Sequence, residues 1–86
     1  MHVAWEIDTE DVAGSDERPD GQSASELITD VLLNVYQSEE IMTRAHVMLH
    51  VATPLHEQII SEGAAAVERG EEWAAEVGPM RVTLRP

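Results

Sequence analysis

Between Ser23 and Val77 apolar residues recur at helical spacing, and the only proline in that span is Pro54. A chain with this pattern is committed to α-helix over much of its length. Pro54 then decides where the helix must stop or bend, because proline lacks an N–H and its ring crowds the preceding turn.

The spacing predicts a first helix over residues 23–50. Ser23-Ala24-Ser25-Glu26 has capping-box spacing, with Ser23 at the N-cap and Glu26 reaching back. Ile28, Val31, Val35, Met42, Ala45 and Leu49 follow an a/d seam with one polar gap at Ser38. Leu27, Ile41 and Met48 widen this stripe on one flank and Leu32 on the other, more than one packed neighbour needs. Thr53-Pro54 reads as a second start, with Thr53 capping and proline at the first helical position. That helix is expected over 54–77, stopped by Gly78-Pro79. Its apolar face runs Leu55, Ile59, Gly63, Ala66, Gly70, Trp73 and Val77. Glycine inside a helix costs up to about 1 kcal/mol relative to alanine. Small residues at 63, 66 and 70 therefore point to close approach of another backbone.

Outside the helices, Val3, Trp5 and Ile7 fall on one face at period two, predicting a strand over 2–8. Met80, Val82 and Leu84 alternate with Arg81, Thr83 and Arg85, predicting another over 79–85. Glu6 and Asp8 on the first and the arginines on the second favour pairing the two. Residues 9–22 are acid-rich, with Gly14, Pro19 and Gly21, and read as an acidic loop. The expected fold is one small domain over 1–86, mainly α with α+β as the variant: an antiparallel two-helix hairpin with short terminal strands. One long rod kinked at Pro54 is the alternative.

Composition bounds the partners. Seventeen acids face five basic residues, all arginine, for a net charge of −12. That argues against nucleic acid or an anionic membrane as direct ligand. No run approaches the ~18 apolar residues of a membrane span, and no secretory leader is visible, so the default compartment is cytoplasm (a host's, or a virion, were the source viral). Without cysteine there are no disulfides or thiolate metal sites. With no Phe and only Trp5, Trp73 and Tyr36 as aromatics, the core is thin and association is a reasonable source of extra stability.

Chemistry-bearing patterns are sparse. His46 and His50 share a helix face at metal-ligand spacing, with His56 and Glu57 beyond Pro54, yet no H-E-x-x-H or E-x-x-H motif occurs. These are weak metal candidates, and structural or surface histidines are the plainer reading. No cofactor is expected. No nucleophile elbow or phosphate loop is present, so the expectation is not an enzyme. Glu68, Glu72 and Glu76 form an i,i+4 ladder on the expected second helix; with Asp16, Glu17 and Asp20 they define an acidic surface. It reads either as a solvated face or as a docking site for a basic partner. The leading functional reading is a non-catalytic interaction or assembly protein that self-associates or docks through the apolar seam. The runner-up is an acidic inhibitor, phage-encoded or antitoxin-like, that occupies the basic surface of a nucleic-acid-binding protein.

Overall fold

Val3, Trp5 and Ile7 do build a strand, and it lies inside a larger sheet than the sequence suggests. The computed structural model describes residues 1–86. It contains strands β1 (His2–Ile7), β2 (Val12–Glu17), β3 (Trp73–Val77) and β4 (Met80–Arg85). They form one antiparallel sheet in the order β2-β1-β4-β3. The terminal strands pair, with Glu6 opposite Arg81 and their side chains 3.7 Å apart. Helix α1 (Gly21–Val35) and a long helix over residues 41–68 cover one face of this sheet.

The expected two-helix hairpin with minor strands is thus replaced by a two-layer α+β sandwich. Three local causes account for the difference. The acid-rich segment 9–22 contributes β2, an edge strand that pairs with β1 from His2–Glu17 to Ile7–Val12. Its polar, charged side chains hide it from an alternation search, and charge of this kind guards sheet edges. The helical turn falls at residues 36–40 rather than 51–53. Four consecutive polar residues, Gln37 to Glu40, follow the buried Tyr36 there. Finally, residues 71–77 leave the helix, because Gly70 adopts a left-handed φ of 81° and ends it. Gly70 N–H bonds Val67 C=O and Glu71 N–H bonds Ala66 C=O, both at 2.9 Å, the paired bonds of a Schellman cap. Gly78-Pro79 then serves as the two-residue β3–β4 hairpin turn, with φ of 57° at Gly78.

Pro54 sits inside the long helix, which continues through it. The helix is α over α2 (Ile41–Val47), widens to π-type turns over Met48–Ala52, and is α again over α3 (Thr53–Gln58). A second π stretch, Ile59–Gly63, leads into α4 (Ala64–Glu68). At the first wide turn Thr53 N–H donates to Met48 C=O, and Thr53 Oγ1 donates to the same oxygen at 3.0 Å. The widening opens the turn that the proline ring would otherwise crowd. At the start of α1 the cap is Asp20 rather than Ser23: its carboxylate accepts from Ser23 N–H at 2.8 Å.

The core lies between the layers. Val3, Ile7, Met80, Val82 and Leu84 rise from the sheet to meet Ile28, Leu32, Leu55 and Ile59, all essentially inaccessible to solvent. At Gly63 the long helix packs tightly on the sheet: a Cβ there would stand 2.7 Å from Leu84 Cδ1 and 3.0 Å from Trp73 Cε3.

Candidate interaction surface

The long helix buries Val47, Val51, Leu55, Ile59 and Gly63, a line of residues four apart. In a regular α-helix each such step drifts about 40° around the axis, or roughly 160° over the line. The two wide turns take up that drift and keep the line on the core. They likewise align positions of the same spacing on the outward side, where Ile41, Ala45, Leu49, Thr53 and Glu57 are all exposed, with Ile60 following.

All five large apolar side chains left exposed are helical: Ile41 (72%), Met42 (76%), Leu49 (64%), Leu33 (48%) and Ile60 (40%). Four of them belong to the long helix. Residues 41–46 are exposed at every position, so the first turns of this helix project past the body. The molecule's longest dimension is 40 Å, about the length of the helix itself.

The structure divides the seam read from the sequence. Ile28, Ile59, Gly63 and Ala66 are buried, and Val31 and Val35 are half-buried against the core. These positions are spent inside the molecule. Met42, Ala45 and Leu49 remain outside. Gly70 is the helix terminator and Trp73 opens β3, so neither belongs to a helical groove. Leu33 and Ile60 were not part of the expected seam, and each follows a residue that faces the core.

The acidic ladder is also dispersed. Glu68 closes α4, Glu72 lies in the loop before β3, and Glu76 stands on the sheet opposite Arg81. On the β2 side Asp16 pairs with Arg18 at 3.0 Å, Glu17 bonds His2 Nδ1 at 2.8 Å, and Asp20 caps α1. Acids therefore surround the molecule instead of lining one face.

One stretch escapes them. Residues 41–56 contain no Asp or Glu, and this is the longest acid-free segment of the chain. It carries Arg44, His46, His50 and His56. The His46 and His50 rings stand 4.5 Å apart at a tilt of 42°. No group of three metal-ligating side chains converges there or elsewhere. Arg44 and Arg85 have no ion partner within the chain, whereas Arg18, Arg69 and Arg81 each have one; of the two, only Arg44 lies in the acid-free stretch.

The largest recess is a shallow depression of about 320 Å³ on the sheet, lined by Ala4, Trp5, Glu6, Ala13, Gly14, Arg81 and Thr83. No helix is long and apolar enough to cross a membrane. Compared with protein-family models, curated proteins and solved structures, the chain matches none.

Proposed function

We propose that this is a non-catalytic interaction or assembly protein that docks a protein partner through the outward stripe of its long helix. The observation that carries the reading is the concentration of exposed apolar side chains on one element. Ile41, Met42 and Leu49 lie within the acid-free stretch, and Ile60 continues the stripe. Apolar side chains grouped in this way mark interaction sites, whereas single scattered ones need no explanation. The charge-led alternative, an acidic inhibitor of a nucleic-acid-binding protein, has less support, since its carboxylates are spread over helix end, loop and sheet.

The test is capture of partners from the native host at low and high salt, comparing the wild-type chain with Leu49→Asp. Leu49 is exposed, so the variant retains its fold. Partners held at high salt by the wild type and lost from the variant are the expected result. Partners lost at high salt whichever chain is used would overturn the apolar reading in favour of the charge-led one.

A further inference from the structure

We propose that the occupant of the stripe is a second copy of this chain, lying antiparallel across a two-fold axis at Val51. The pairing rests on the docking reading above and names its partner. An axis level with Val51, on the helix's outward side, sets Ala45 against the partner's Glu57 and Leu49 against the partner's Thr53, with Ile41 against the partner's Ser61. Every contact occurs twice, as an isologous interface requires.

Two observations select a second copy over a foreign helix. The first is the pattern of charge. Copies bearing a net charge of −12 repel one another over most of their surface. Residues 41–56 are where acids are missing, so this is where two copies can approach most closely. The second is complementarity within the stripe. Glu57, the first acid after the window, falls opposite Ala45, whose small side chain leaves room between Arg44 and His46. Arg44 has no partner inside its own chain, and neither has the Glu57 carboxylate. One like-charge contact opposes the pairing: Glu40 meets the partner's Glu62 at the exposed ends, where solvent and salt screen it. A small stable interface takes roughly 600 Å² from each copy. That is about an eighth of the 5013 Å² surface of the chain.

The experiment is sedimentation equilibrium of the full chain and of two charge variants, alone and mixed. The wild type is expected at twice its 9.5 kDa. Arg44→Glu and Glu57→Arg each place like charges together at both symmetric contacts, and each is expected to weaken dimerisation by about tenfold or more. Mixed in equal amounts, they restore opposite charges at both contacts and form a mixed dimer of near wild-type affinity. Both residues are exposed, and thermal melting of each variant verifies the fold. A wild-type chain that stays monomeric at about 100 μM, where weak specific pairs already form, overturns the pairing. So do charge variants that dimerise like the wild type, or a mixture no tighter than its components. If the chain is monomeric yet its partner capture still fails with Leu49→Asp, the docking reading survives and only the second copy is lost. If capture ignores Leu49 as well, both fall.

Discussion

Adjacent apolar residues on a helix stand about 100° apart, so a helix with one buried face must turn one member of such a pair away. Leu32-Leu33 and Ile59-Ile60 show this directly. Leu32 and Ile59 are fully buried, while Leu33 and Ile60 are 48% and 40% exposed. The signal for the outward residues was therefore present in the doublets, and a seam drawn through one member of each does not register it. The same geometry separates two substitutions of identical chemistry. Ile59→Ala removes buried methyl and methylene groups from between the sheet and α1, and is expected to cost about 2–5 kcal/mol. Ile60→Ala removes a side chain with no place in the core cluster, and is expected to change stability by less than about 1 kcal/mol. Urea unfolding with a common slope and two different midpoints is the measurement. Equal midpoint shifts would contradict the assignment of faces.

At the level of the element, the long helix is governed by a four-residue apolar period that a regular α-helix cannot hold on one face. The π-type turns at Met48–Ala52 and Ile59–Gly63 reconcile the two, and Pro54 sits immediately after the first. A proline in a regular helix interior costs about 3 kcal/mol. Here the wide turn has already relieved the crowding, so Pro54→Ala is expected to raise stability by no more than about 1 kcal/mol. A gain of the full amount in thermal unfolding would show that the helix is strained at Pro54 and the wide turn is no accommodation. Apolar alternation in β1 and β4, and the charge complementarity of Glu6 with Arg81, were readable because each strand has one buried face. The helical character of 23–35 and 41–68 was readable from its period. The turn at 36–40 was masked because Ser38 could be absorbed as one polar position in a continuous seam, although Gln37, Glu39 and Glu40 surround it. The tolerance of Pro54 depends on hydrogen bonds five residues apart, which no capping rule anticipates. β2 was unreadable because Ala13, Gly14 and Ser15 carry almost no hydropathy contrast, and its place is set by pairing with β1. Of the candidate surface, Met42, Ala45 and Leu49 were legible; which half of the seam stayed free depended on where the sheet lay.

At the scale of the molecule, charge and apolar surface act in opposite directions on association. Seven of the 17 acids lie in the first 20 residues, and the remainder are distributed over α1, the turn at 36–40, the long helix and the β3 region. The net −12 therefore acts as a diffuse field around the body and not as a single anionic face. Two such bodies repel at long range, and added salt weakens that repulsion: the screening length falls from about 30 Å at 0.01 M to about 8 Å at 0.15 M. Salt also weakens the Arg44–Glu57 contacts, but exposed ion pairs contribute only about 0–1 kcal/mol each. Apolar burial along the stripe is not screened. Relief of repulsion should win, so self-association is expected to tighten as sodium chloride rises over this range. An acidic inhibitor bound to a basic target would behave oppositely, because its attraction is the term that salt removes. Sedimentation equilibrium at both salt concentrations distinguishes the two: association that falls away with salt would place charge, rather than the apolar stripe, at the origin of binding.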